Sequence, residues 1–406
     1  MKGKDIKPHI GIFGRRNTGK SSLINTLVGQ DVAIVSGHAG TTTDPVKKSL
    51  EIFGIGPCII VDTAGIDDMG ELGAMRVKKS LQVLDTIDLA ILLVTHNNFN
   101  GYEADMIRKF AEKELPFIVV HNKSDIEELA EDTFMAIRAL TEAPILEYSN
   151  ILKNNTNELI DIITATIPEN AYQLGSLFGG IIRPDDIVLL ITPIDSEAPE
   201  GRMILPQVMA IRDVLDNNCV AIVVKETEVE RFLTDTGIKP KLAVTDSQVF
   251  HKMKEIIPED VMLTSFSIVF ARYRGSFEKY LEGTRALDKL SDGNKVLILE
   301  SCTHRVSCDD IGRFKLPGWI RSYSGKKLEF ITVAGLSEIP SPLDQFAIVI
   351  QCGGCVATKR QLARRLQPAI DLGIPVSNYG MAIAYMNGIF NRAVEPFIRM
   401  DDERED

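Results

Sequence analysis

Short apolar runs alternate with amphipathic stretches along the first 170 residues. Ile10–Phe13, Cys58–Val61, Leu89–Val94 and Phe117–Val120 are apolar at every position or nearly so. Runs of that length predict strands buried on both faces, and the helical patterns between them predict a three-layer α/β domain with a mainly parallel sheet. The theme returns further on. Ile187–Thr192 and Val220–Val224 predict strands separated by a helix over Leu205–Leu215, and Lys295–Leu299 and Phe346–Ile350 open similar units. The repetition has no fixed short period, which argues against a solenoid. A linker is expected near Pro168–Ile182, where Pro168, Gly175, Gly179 and Gly180 gather before Arg183-Pro184. The expected division is residues 1–170, 171–260 and 261–406.

Composition narrows the class. Of 406 residues, 45% are hydrophobic and 25% charged, a balance that fits a globular protein and not a disordered one. The net charge of −11 is unevenly spread: 17 basic and 24 acidic side chains in residues 1–170, 9 and 15 in 171–260, 19 and 17 in 261–406. An acidic chain is a poor sequence-blind nucleic-acid binder, so no nucleic-acid partner is expected. Apolar runs such as Leu89–Val94 fall far short of the ~18–20 residues that span a bilayer. Met1–Lys7 lacks a signal-peptide core, so the expectation is a cytoplasmic protein with no membrane partner. Asp401–Asp406, five acids and an arginine, is expected to be a frayed tail. Cys58 and Cys219 stand alone in apolar surroundings and read as small buried hydrophobes. Cys302, Cys308, Cys352 and Cys355 cluster in the last third, which points to metal binding or redox work.

The first candidate chemistry is nucleotide binding. Gly14-Arg15-Arg16-Asn17-Thr18-Gly19-Lys20-Ser21 fits the phosphate-binding loop, between a predicted strand and a helix carrying Leu23, Ile24, Leu27 and Val28. Glycines let successive backbone N–H groups and the helix N-terminus face an anion. Lys20 is the candidate for the β- and γ-phosphates and Ser21 for Mg²⁺, with Thr18, Gly19 and Ser22 completing the phosphate-binding set. Asp62-Thr63-Ala64-Gly65 ends a second strand, where Asp62 would hold Mg²⁺ through water and the Gly65 N–H would sense the γ-phosphate. Asn122-Lys123-Ser124-Asp125 ends another, and the Asp125 carboxylate suits the paired donors of guanine, so GTP is expected over ATP.

This set resembles the translation-factor-like GTPases, the branch with tRNA-modification and ribosome-assembly members, and it implies a Ras-like P-loop domain. Gly40-Thr41-Thr42-Thr43-Asp44 is similar to their first switch, which implies Thr42 as a Mg²⁺ ligand. Ile66 stands where Ras-like proteins place a water-orienting glutamine. Asp67 and Asp68 are then the nearest catalytic candidates, with solvated switch acids as the alternative. Asn17 matches the residue that holds K⁺ in cation-activated relatives, where the ion would stabilise developing phosphate charge. Ser149 falls in the base-contacting loop, with Asn150 in place of the usual alanine.

The second candidate chemistry lies in the last third. Cys302-Thr303-His304 and Cys352-Gly353-Gly354-Cys355 each follow a predicted strand. Two glycines let the second motif aim both sulfurs at one centre, and adjacent strands would bring Cys302 to them. Three cysteines suit zinc or an iron–sulfur cluster, while Cys352 and Cys355 alone would suit a dithiol. His304, Glu395 or an acid of the tail are candidates for a fourth ligand, and Cys308 reads as structural. Lys359-Arg360 and Arg364-Arg365 read either as a solvated helix face or as an anion-attracting wall beside the site.

A GTPase domain followed by Cys-x-His and then Cys-x-x-Cys resembles the HydF family of [FeFe]-hydrogenase maturation factors over essentially the whole chain. Gln351 stands where that family usually has histidine. The resemblance implies a [4Fe–4S] cluster on Cys302, Cys352 and Cys355 and a homodimerising α/β domain between the GTPase and cluster-binding α/β domains. It also implies a diiron precursor as cargo, with the apo-[FeFe]-hydrogenase and radical-SAM maturases as partners. The alternative from another class is an RNA- or ribosome-associated GTPase with a zinc-stabilised C-terminal domain.

Overall fold

The computed structural model describes residues 7–28, 46–52, 56–65, 77, 79–152, 155–168, 175–193, 203–301, 311–335, 337–354 and 357–402. The chain divides into two compact units, residues 2–174 and 175–406.

In the first unit six strands form one sheet, in the order β2-β3-β1-β4-β5-β6. These are β1 (His9–Gly14), β2 (Val46–Ile52), β3 (Gly56–Asp62), β4 (Leu89–Val94), β5 (Phe117–Asn122) and β6 (Ile145–Tyr148). All neighbours are parallel except the β2–β3 pair. Alternation along β4 fixes what each face buries. Leu89, Ile91 and Leu93 pack on one side with Leu23, Ile24 and Leu27 of α1 (Lys20–Val28) and with Leu159 and Ile163 of α4 (Thr156–Thr166). Ala90, Leu92 and Val94 pack on the other with Met106, Ile107 and Phe110 of α2 (Gly101–Glu112) and Ile137 of α3 (Glu131–Arg138). Strands that bury both faces need apolar residues throughout, which is why they read as continuous runs. The central strand β1 lies between β3 and β4, so chain leaves it on both sides and opens a crevice at its C-terminal end, where the glycine-rich loop begins.

The second unit carries two four-stranded sheets, β10-β9-β7-β8 and β12-β11-β13-β14, parallel throughout. The first contains β7 (Ile187–Ile191), β8 (Val220–Val224), β9 (Leu242–Thr245) and β10 (Met262–Ser265). Its helices are α5 (Leu205–Asp216), α6 (Val229–Thr236) and α7 (Phe250–Ile256). Two helices follow β10, α8 (Phe266–Arg274) and α9 (Phe277–Thr284), and lead to the second sheet. That sheet contains β11 (Lys295–Leu299), β12 (Glu329–Val333), β13 (Phe346–Gln351) and β14 (Val376–Asn378). The helices that follow in this region are α10 (Leu316–Ser324), α11 (Lys359–Asp371), α12 (Tyr379–Met386) and α13 (Phe390–Asp402), the last packed against β10 of the first sheet. Both sheets contribute to one continuous apolar core, from Leu177 and Phe178 to Val394 and Phe397. Strand β11 lies between β12 and β13, a second topological switch point, and the cysteine motifs follow the two strands that meet there. Among the described residues no helix is long and apolar enough to cross a membrane.

Candidate functional site

The phosphate-binding loop joins β1 to α1. Gly19 has a φ of +92°, and a Cβ there would collide with the Asn122 amide, so only glycine fits where the two loops touch. Asn17 also takes a left-handed φ, +59°, at the exposed tip of the loop. Lys20 Nζ donates to the carbonyls of Gly14 (2.9 Å) and Arg15 (2.7 Å), and Thr18 Oγ1 to that of Arg15 (2.9 Å). This curls the loop around the ammonium, at the centre where phosphate oxygens would replace the carbonyls.

The other nucleotide motifs converge on this loop. Ser21 Oγ donates to Asp62 Oδ2 at 2.9 Å, bringing together two oxygens of a Mg²⁺ site whose remaining ligands would be water and phosphate. Burial pushes the Asp62 carboxyl above its ordinary pKa, opposed by the Ser21 hydrogen bond and by the charges of Lys20 and Lys48. Asn122 Nδ2 donates to the Thr18 carbonyl at 2.7 Å and ties the base-reading loop to the phosphate loop. Ser149 Oγ donates to Asp125 Oδ1 at 2.5 Å and receives the N–H groups of Ile151 and Leu152 at 3.2 Å, so it orients the carboxylate expected to read guanine. Lys123, between Asn122 and Asp125, has a φ of +66°. Gly65 is buried after β3, and Ser22 is exposed on the first turn of α1. These residues fit a Mg²⁺–GTP ligand. Thr42, Asp67 and Asp68 lie outside the described residues.

One part of this site has no motif to announce it. Arg15 Nε donates to Glu103 Oε1 (2.6 Å) and its Nη2 to Oε2 (3.0 Å), with Asn100 Oδ1 as a further acceptor. The guanidinium also lies 4.9 Å from the Tyr102 ring centroid. Glu103 is only 1% exposed and accepts the Asn100 N–H as well, closing the N-terminal capping box of α2. The phosphate loop is thus braced by the start of α2.

In the second unit, Leu299 pairs with Gln351 across β11 and β13, which sets the start of the Cys302 loop beside Cys352. Cys352 Sγ accepts the Ser301 N–H at 3.0 Å and Gln351 Nε2 at 3.6 Å, hydrogen bonds of the kind that cluster-ligating sulfurs accept. Gln351 is fully buried, and its Nε2 also donates to Ser301 Oγ (2.9 Å) and the Leu299 carbonyl (3.2 Å), so this nitrogen helps hold the two strand ends together. Gly354 turns the chain with a φ of +66° where a Cβ would strike Leu362. Burial, with the Cys352 sulfur nearby, pushes the Tyr280 phenol well above its ordinary pKa. Cys352 in this setting fits a thiolate-bound metal centre. Cys302, His304, Cys308 and Cys355 lie outside the described residues, and Glu395 is half-buried on α13. Cys58 and Cys219 are buried, as expected of isolated cysteines. The basic run of α11 is not one face: Lys359 is exposed, while Arg365 is buried and donates to the carbonyls of Glu300 (2.8 Å) and Val333 (3.0 Å). Within that run Arg365 turns inward while Lys359 faces solvent.

Comparison with known proteins decides the family. Residues 177–275 match the hydrogen maturase F dimerization domain and residues 278–396 the hydrogen maturase F tetramerization domain, together more than half of the chain. The chain belongs to the hydrogen maturase F family. Residues 9–123 of this maturase F chain match the 50S ribosome-binding GTPase family, so its first unit is a P-loop GTPase domain. The tRNA modification GTPase MnmE of Lachnoclostridium phytofermentans is 36% identical over 166 residues, covering 40% of this chain and 35% of the relative. That of Exiguobacterium sibiricum is 41% identical over 123 residues, covering 30% and 26%. The chain thus spans about a third or less of the length of these curated relatives. Among solved structures, a point variant of Aquifex aeolicus Era bound to GDP·AlF4⁻ matches with a TM-score of 0.34 and 20% identity, covering 54% of this chain and 93% of that one.

Proposed function

We propose that this chain is a GTP-hydrolysing scaffold of [FeFe]-hydrogenase maturation, which holds a [4Fe–4S] cluster on Cys302, Cys352 and Cys355, receives a diiron precursor and passes it to the apo-hydrogenase. The observation that carries this reading is the meeting of β11 and β13 at a switch point, with Cys352 Sγ already accepting two N–H donors. When bound, the cluster supplies a metal centre with an exchangeable position for cargo. The residues around it orient sulfur: Ser301 and Gln351 by hydrogen bonds, Gly354 by the turn it allows.

In the GTPase domain Lys20 would neutralise the β- and γ-phosphates, Ser21 and Asp62 would hold Mg²⁺ with Thr42, and Asp125 would select guanine. Asn17 would hold K⁺ beside the developing phosphate charge, and Asp68 would assist hydrolysis. Turnover is then faster in K⁺ than in Na⁺. Nucleotide state would change the switch loops and so the affinity for the hydrogenase and the radical-SAM maturases. The chain would act as a cytoplasmic homodimer, with residues 1–170 binding GTP, 171–260 dimerising and 261–406 holding the cluster. Strand β8 supports the dimer: it is an apolar sheet edge whose Val220 and Val223 are 50% and 42% exposed.

The test is anaerobic purification followed by assay of iron, acid-labile sulfide and zinc. About four irons and four sulfides per chain, lost when Cys302, Cys352 or Cys355 becomes serine, is the expected result. Stoichiometric zinc with no visible chromophore after reconstitution would overturn the reading and favour a zinc-stabilised GTPase.

A further inference from the structure

Two asparagine amides reach the phosphate loop of the first unit at one point. Asn122, fully buried at the end of β5, donates from Nδ2 to the Thr18 carbonyl at 2.7 Å. Asn150, in the loop after β6, directs its Nδ2 to the Gly19 carbonyl at 3.5 Å, a long contact on an oxygen that already accepts the Leu23 N–H of α1 at 2.8 Å. A Cβ built on Gly19 would stand 2.9 Å from Asn150 Nδ2 and closer still to Asn122 Nδ2, so both nitrogens lie over the same stretch of backbone. The oxygens have no such role. Among the described residues, Asn122 Oδ1 and Asn150 Oδ1 are buried and accept no hydrogen bond. Each amide is therefore oriented through its nitrogen, by the phosphate loop.

Asn150 follows Ser149, whose Oγ donates to Asp125 Oδ1 and accepts the N–H groups of Ile151 and Leu152. Within two residues, then, one short loop touches both the carboxylate set to read guanine and the carbonyl that begins α1. Where the resembled GTPases carry alanine, a side chain with nothing to donate, this chain has an amide. A ligand that spans two loops gains from their being held at a fixed separation. Once one end is gripped, the other meets its site at high effective concentration, and freedom removed beforehand is not lost again on binding. A guanine nucleotide is such a ligand, with its base at Asp125 and its phosphates at Lys20.

We infer that Asn150 is a positioning residue of the nucleotide site, a second tie between the base-reading and phosphate loops that slows nucleotide release. The inference rests on the reading above in which Asp125 takes guanine and Lys20 the phosphates, and adds to it the residue that makes the two halves act together. Such a tie has a signature of its own. Its loss weakens ligands that engage both loops and spares those that engage one. A residue that only shaped the base-reading loop would affect both kinds alike.

The experiment compares the full-length wild type with Asn150→Ala and Asn150→Leu; leucine keeps the bulk of asparagine but neither donates nor accepts. Release of a fluorescent GDP analogue is followed by stopped flow with Mg²⁺ and excess GDP, guanosine affinity is measured by competition, and melting temperature reports folding. Both variants are expected to release the analogue about threefold faster, the scale of one neutral hydrogen bond, while guanosine affinity stays at the wild-type value. Wild-type release from either folded variant would overturn the proposal, as would an equal loss of affinity for guanosine and for GDP. Should one variant fail to fold, the other decides. A wild type that binds ADP as tightly as GDP would overturn the guanine reading itself, a failure told apart from the others because it involves no variant.

Discussion

Arg15 sits in the phosphate loop but takes its orientation from Glu103, 88 positions further along the chain. Because Glu103 is buried and closes the α2 capping box as well, Glu103→Ala removes a bidentate carboxylate partner of a largely buried guanidinium and a helix cap together. The expected cost is about 3 kcal/mol, the lower end for breaking a buried pair, since Arg15 retains some exposure. It should appear as a lower melting temperature and weaker binding of a fluorescent GDP analogue; unchanged binding would mean that the loop holds its shape without this brace. His9, on β1, makes a pH prediction. Burial, helped by the charge of Lys47, lowers its pKa from 6.5 to about 4. The unfolded chain therefore binds the proton first, so stability of the first unit falls as pH drops from about 6.5 and levels off below about 4, by at most about 3 kcal/mol. His9→Leu should flatten that part of the profile in denaturant melts at stepped pH. The nucleotide residues were legible in sequence because phosphate and guanine recognition need contiguous loops of fixed spacing. The brace of Arg15 and the grip of Arg365 were not, since their partners are distant carboxylates or backbone carbonyls that leave no pattern.

At the level of single elements, β8 is the clearest case of a sequence that says more than its own strand needs. Val220–Val224 is apolar throughout yet, among the described residues, forms the edge of its sheet, paired on one side only, by β7. A long apolar edge left open is a template for another strand, so natural proteins cover it or charge it. Val223→Lys places a charge in the exposed patch and should halve the molecular mass seen by light scattering while leaving the far-UV spectrum intact. A dimer that survives it would move the interface elsewhere. Helix α11 begins at a capping box, in which Thr358 Oγ1 accepts the Gln361 N–H (3.2 Å) and Gln361 Oε1 accepts the Thr358 N–H (3.0 Å). Thr358→Ala should cost about 1 kcal/mol in equilibrium unfolding of the second unit. The strands predicted from apolar runs all appear, some with the same bounds, as Leu89–Val94, and others extended, as with Ile10–Phe13 within His9–Gly14. Those missed fall into two kinds. The runs of β2, Val-Lys-Lys-Ser-Leu-Glu-Ile, and β12, Glu-Phe-Ile-Thr-Val, lie at sheet edges and mix polar with apolar residues, and β6, β9, β10 and β14 are only three or four residues long. Neither kind leaves the continuous apolar signal of a strand buried on both faces.

For the whole molecule, the distribution of cores has consequences of its own. Among the described residues, the two apolar clusters of the first unit draw on residues between Ile10 and Ile167, whereas the core of the second runs from Leu177 to Phe397 and shares no residue with them. Within the second unit, by contrast, both sheets and helices α8, α9 and α12 feed one cluster, so the regions matched as dimerization and tetramerization domains have no separate cores. Cooperativity follows shared burial, because a core melts as a piece when its parts stabilise one another. The chain should therefore unfold in two calorimetric transitions, one for the GTPase domain and one for everything after residue 175. Mg²⁺–GDP at a hundredfold excess over its dissociation constant should stabilise the first by about 2.7 kcal/mol, since ligand binds only the folded form. The second should not respond to nucleotide, and it should sharpen and rise when the cysteine site is filled. A nucleotide-dependent shift of both transitions together would show instead that the two cores are energetically one. Cluster and nucleotide would then read each other's state through the fold itself, and not only through partners that sense both.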